Sequence, residues 1–190
     1  MSLYQPIGII TDYAIDFGMA TSYKGSMTPS TKIYTAADIE RATGASTHTV
    51  KFWIRRHLIQ ATKATEGRGT GSYRAFLRSE VIVACLLHPL ALGWQLDQTR
   101  SVSELEQIAR RLRLLVRNPA TSPDIEKAIL NEGQFYLTCF WFFGRELVTA
   151  IAEPGNHKFT LHEFFSELSE APGRAEVINL NIWLRPIRDL

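Results

Sequence analysis

At 190 residues, with 45% hydrophobic and 21% charged side chains, the chain is long enough to bury a core and too apolar for global disorder. Its net charge of +2 hides a division: residues 33–117 hold 13 Lys or Arg against 7 Asp or Glu, a balance of +6 that leaves −4 for the rest, and such a basic block points to a polyanionic partner for that part alone. No stretch reaches the roughly 18 to 20 apolar residues of a bilayer-spanning helix and no secretory leader opens the chain, so the expectation is a soluble cytoplasmic protein with no membrane partner.

In chain order, residues 1–32 have no sustained period and end in Gly, Ser, Thr and Pro, the pattern of a flexible lead-in. Thr35 then opens T-A-A-D, a capping box with Asp38, and predicts a short helix to Thr43 that buries Ile39 and Ala42 and is closed by Gly44. Ser46 caps a second helix from Thr47 to about Leu58. Two short helices about a Thr-Gly-Ala-Ser turn make a helix-turn-helix, whose second helix enters a major groove. At 100° per residue, Val50, Trp53, Ile54 and His57 share the core side of that helix, while His48, Lys51 and Arg55 share the outer side.

The following KATEGRGTGSYRAFLRSEV has three glycines and several arginines between short extended runs, which predicts a β-hairpin wing over residues 62–76. Arg68 falls at its tip, with Tyr73 and Arg74 on the returning strand. The G-R-G-T-G run lacks the preceding strand and the lysine-serine pair of a phosphate-binding loop, so it does not indicate a nucleotide site. The DNA-binding candidates are therefore Ser46, Thr47, His48, Lys51, Phe52, Arg55 and Arg56 on the second helix, and Arg68, Tyr73 and Arg74 on the wing. An apolar helix opens at Leu77 or Ser79 and stops at His88-Pro89. Residues 101–121 form a connecting helix with a capping box at Ser103 and Glu106. Its stripe of Leu105, Ile108, Leu112 and Leu115 serves either core packing or pairing with a second subunit.

Beyond it, residues 122–190 read as a small α+β unit. Ser122-Pro123 starts a helix to Gly133, QFYLTCFWFF and ELVTAIAE form strands about Gly144-Arg145, Thr160 caps a helix, and EVINLNIWLRPI is a last strand. Its many aromatic residues, from Phe135 to Trp183, suit either a core or an effector pocket. Cys85 and Cys139 sit in apolar runs and read as buried thiols. No Cys or His spacing indicates a metal, no cofactor motif is present, and no catalytic grouping points to an enzyme. The expected fold class is α+β: a winged helix-turn-helix at 33–100, the connecting helix at 101–121 and the dimerisation or effector unit at 122–190.

Three phrases in order, YTAADIERATGASTHTVKFWIRRHLI, YRAFLRSEV and LALGWQL, resemble the MerR family of winged-helix regulators across just under half of the chain. The resemblance implies a homodimer on a palindromic double-stranded operator, acting for RNA polymerase by bending and untwisting the promoter, and leaves room for a small-molecule effector. By position it makes His48 and Lys51 groove-facing, with Tyr73 and Arg74 on the DNA backbone. Ile54 stands where the family has Glu, Leu77 replaces a capping Ser, and one residue is missing before Gly93. Cys85 and Cys139 do not lie beside the dimer helix, where the family's metal sensors carry theirs. The alternative function is an excisionase-like or architectural accessory protein in recombination or DNA packaging.

Overall fold

A computed structural model of the chain describes residues 32–62, 74–92, 100–141, 147–153 and 174–190. Arg68 at the expected wing tip, Tyr73 on its returning strand, the Gly144-Arg145 turn and the helix after Thr160 lie outside them.

Helices α1 (Ala36–Thr43) and α2 (Thr47–Arg55) form where their caps predict. The Thr35 hydroxyl accepts the Asp38 amide at 3.3 Å while the Asp38 carboxylate accepts the Thr35 amide at 2.8 Å. Gly44, at φ 70°, supplies the left-handed turn that closes α1. Helix α2 is shorter than its sequence pattern suggests. His57 adopts φ 56°, its amide bonds to the Ile54 carbonyl and the Leu58 amide bonds back to the Trp53 carbonyl at 2.9 Å, the paired closure of a Schellman end. His57 is consequently exposed rather than on the core side, and Leu58 takes the buried place.

Three short extended segments follow the same logic of pairing. The Tyr34 and Phe76 backbones exchange hydrogen bonds of 3.0 and 2.8 Å, and the Thr62 amide donates to the Ala75 carbonyl at 2.8 Å. Helix α3 (Arg78–Leu92) continues through Pro89 instead of stopping before it. Proline inside a helix costs about 3 kcal/mol, but here it falls in the last turn, where fully buried Leu90 packs the end into the core. Helix α4 (Val102–Arg117) is capped two residues earlier than expected, by Ser101, whose hydroxyl accepts the Glu104 amide at 3.2 Å. Its stripe of Leu105, Ile108, Leu112 and Leu115 is buried within this one chain, against α3 and the elements that follow.

Helix α5 (Ser122–Leu130) ends before Gly133, at Asn131 with φ 62°. Strands β1 (Tyr136–Trp141), β2 (Val148–Ala152) and β3 (Arg174–Asn179) form an antiparallel sheet in the order β2-β1-β3, with Phe140 opposite Val148 and Trp141 opposite Arg174. The expected final strand is broken at Asn179. The Asn179 side chain accepts the Ile182 amide and starts α6 (Leu180–Leu184), which runs into a 3-10 turn over Arg185–Asp189. Phe135 and Phe140 are buried core side chains.

One apolar core runs from Tyr34 to Ile187. The His88 ring bridges it, edge-on to Trp53 of α2 at 5.8 Å and to Trp183 of α6 at 6.0 Å, and the C-terminal 3-10 turn packs on α1. Two buried ion clusters cross the core. Glu80 of α3 accepts from Arg113 and Arg117 of α4, and Arg100 is paired with Glu104 and Glu176 beneath Trp141. Among the described residues, no helix is long and apolar enough to cross a membrane.

Candidate nucleic-acid interface

Helix α2 is held at both ends. At its start, the Ser46 hydroxyl accepts the Thr49 amide at 3.2 Å, and the Thr47 hydroxyl donates to Glu40 of α1 at 2.9 Å. At its finish, one Arg113 nitrogen donates to the His57 and Leu58 carbonyls at 3.0 and 2.6 Å, while its Nε reaches both oxygens of buried Glu80 at 3.1 and 3.2 Å. The Gln60 amide also donates to Glu80, at 2.8 Å. The chain leaving α2 is thus pinned to α3 and α4, and the buried Val50, Trp53 and Ile54 fix the helix rotation.

That rotation turns His48, Lys51 and Arg55 outward, where they line an open cleft of about 860 Å³ with Arg74 and with Thr35, Ala36 and Ala37 at the start of α1. Arg74 reaches this cleft because the Thr62–Ala75 and Tyr34–Phe76 pairings lay its strand beside α1 and α2. Among the described residues, no carboxylate lines the cleft, and Lys51, Arg55 and Arg74 have no acidic partner. Asp38, next along α1, is engaged elsewhere: the Thr35 amide above all, opposed by burial and aided by the Thr35 hydroxyl and nearby Arg41 and Lys32, holds its carboxyl below the usual carboxylate range.

The other candidates take different places. Ser46 and Thr47 are exposed but spend their hydroxyls on capping and on Glu40. Phe52 is half-buried against the core, and Arg56 lies over its ring at 6.0 Å, off the cleft. Arg68 and Tyr73 are outside the described residues. Thr35, Ala36 and Ala37 are wall residues that sequence reasoning did not single out. The capping box marks a helix start there, where the first amides lack intrahelical partners and carry partial positive charge; its proximity to the outer face of α2 is a tertiary fact.

No group of three or more His, Cys, Asp or Glu able to hold a metal occurs among the described residues. Burial pushes the Cys85 and Cys139 thiols up to about 12, which keeps them protonated and poor ligands. No protein-family model matches the chain, and no curated protein matches its sequence.

Proposed function

We propose that residues 33–100 form a winged helix-turn-helix that binds double-stranded DNA, and that the protein is a sequence-specific transcriptional regulator of MerR type. The observation that carries this reading is the convergence of His48, Lys51, Arg55 and Arg74 on one cleft whose described lining residues include no carboxylate. The dimensions agree with it. An α-helix with its side chains is about 10–12 Å across, against a major groove about 12 Å wide. His48, Lys51 and Arg55 follow one another along one side of α2, so the helix start meets base edges while Arg55 and Arg74 reach phosphates on either side. The free amides of Ala36 and Ala37 add donors for a phosphate oxygen.

In this proposal a homodimer occupies a palindromic operator, with RNA polymerase as its partner at the promoter and room for a small-molecule effector; the support for these three is the sequence resemblance. Because the α4 stripe is used in the chain's own core, contact between copies falls to other surfaces.

Fluorescence anisotropy on overlapping duplexes from upstream of the protein's own gene, at several salt concentrations and against scrambled duplexes, tests the reading. Tight, site-limited binding is expected. Lys51→Ala with Arg55→Ala is expected to abolish site preference and, by removing the Arg55 phosphate contact, to lower the slope of log affinity against log salt by about 0.9. Equal binding to every duplex, or an unchanged slope in the double variant, would refute the groove assignment.

A further inference from the structure

We propose that a second pocket, formed by the end of α5, α6 and the C-terminal 3-10 turn, binds a small oxyanion. The pocket has a volume of about 200 Å³ and is lined by Ile129, Asn131, Asn181, Arg185 and Arg188.

Three observations converge on an anion. First, a 3-10 helix has three residues per turn, so Arg185 and Arg188, three apart in the Arg185–Asp189 turn, are eclipsed on one side. Both arginines thus line one pocket. Second, their charge is poorly balanced from within the protein. Among the described residues Arg185 has no carboxylate partner, and Arg188 has Asp189 at 3.8 Å, with both side chains more than half exposed, a pairing that water screens to little effect. Like charges held side by side are unfavourable unless an anion joins them.

Third, the acceptors in the wall are already used. The Asn181 amide nitrogen donates to the Gly133 carbonyl at 2.8 Å and to the Asn131 side-chain oxygen at 3.3 Å, and its own oxygen accepts the Phe135 amide at 2.9 Å. The side-chain groups left for a ligand are therefore donors: the Asn131 amide nitrogen and the two guanidinium groups. The same Asn181 bonds fix Asn131 and tie α5 to α6, so the Asn131 donor is ordered before any ligand arrives. The carboxyl end of α5 faces this region with roughly half a negative charge, which the two full positive charges outweigh.

Size selects within the anions. At about 200 Å³ the pocket is smaller than the roughly 300 Å³ at which sites for drug-sized ligands begin. It suits a phosphate group or a small carboxylate, and forked guanidinium groups pair two-pronged with either. The pocket shares no lining residue with the α2 cleft, so it stands or falls apart from the DNA reading.

The test is titration of the full chain with inorganic phosphate, and separately with succinate, replacing chloride at constant ionic strength, read by amide chemical shifts and by thermal midpoint. Saturable binding is expected, with shifts centred on Asn131, Asn181 and residues 185–188. In Arg185→Ala with Arg188→Ala, two exposed positions whose loss leaves the core intact, affinity is expected to fall at least about tenfold. In Lys51→Ala with Arg55→Ala it is expected to be unchanged. Phosphate or succinate saturating alone identifies the class of oxyanion. Shifts that grow without saturation, that chloride reproduces, or that vanish in the Lys51/Arg55 variant while surviving in the Arg185/Arg188 variant would overturn the proposal.

Discussion

Replacing Glu80 by alanine probes what holds α2 in place. The Glu80 side chain is 2% exposed and accepts from the Gln60 amide, from Arg113 Nε at 3.1 Å and from Arg117 at 3.2 Å. Arg113 is 12% exposed and Arg117 56% exposed, so the two arginines share a carboxylate but not an environment. Removing the carboxylate leaves Arg113 buried with its charge uncompensated, a loss of about 3–5 kcal/mol for a buried pair. The His57 and Leu58 carbonyls would still accept from Arg113, which places the expected loss near the lower end, about 3 kcal/mol. That is a large share of the roughly 5–15 kcal/mol by which folded domains are stable.

Arg117→Ala removes only a solvated partner and is expected to cost under about 1 kcal/mol. Replacing Glu80 and Arg113 together by leucine removes both charges and is expected to cost less than Glu80→Ala alone. Urea unfolding followed by tryptophan fluorescence, with Trp53 in the buried core as reporter, measures all three. Equal losses for Glu80→Ala and Arg117→Ala, or a Glu80→Ala loss below about 1 kcal/mol, would show that the buried clamp does not support the helix.

Burial holds the His88 pKa below its ordinary value of 6.5. The unfolded chain therefore takes up this proton first as pH falls, so stability is whole above about 6.5 and is lost from there down to the folded pKa. His88→Phe, which keeps a ring between Trp53 and Trp183, is expected to flatten the unfolding free energy between about pH 7 and 5; an unchanged profile would assign the dependence to other groups. His57→Gly relieves a left-handed residue that costs roughly 1 kcal/mol, and a rise of about 0.5–1 kcal/mol in urea unfolding with unaltered DNA affinity is expected. A fall in stability would contradict the closure assigned to the end of α2. With both thiols pushed up to about 12, alkylation of Cys85 and Cys139 at pH 8 is expected only as the protein unfolds. Labelling of the native protein at the rate of a free thiol would mean that their burial is wrong.

The Arg100 cluster illustrates a limit of reading along the chain. Arg100 is buried against Glu176, which lies 76 positions away, while Trp141 contacts both Arg100 and its cross-strand neighbour Arg174. Nothing in the local pattern near Arg100 marks it as a core residue, since an arginine before a helix is ordinarily solvated. The aromatic run at 135–141 was legible as a strand because its length and composition suit a strand buried on both faces. The end of β3 was not, because EVINLNIWL keeps an apolar character across the change from strand to helix; the break is made by the Asn179 cap and by the Leu180 amide bonding to the Phe135 carbonyl at 2.9 Å.

By itself the sequence determined the helix at 36–43 with both its caps, the Ser46-capped start of the second helix at Thr47, and the split of α2 into an apolar side and the outward His48, Lys51 and Arg55. Those features depend on hydroxyls, carboxylates and a glycine within four residues of the groups they bond, and on a period of 3.6 residues, all of which local chemistry contains. The tertiary structure alone decided that Arg74 and the start of α1 share the α2 cleft, that Glu80 and Arg113, 33 positions apart, clamp the helix end, and that Arg185 and Arg188 meet at one pocket with Asn131. Such pairings are set by how several elements pack at once, and no single stretch of chain specifies its distant neighbours.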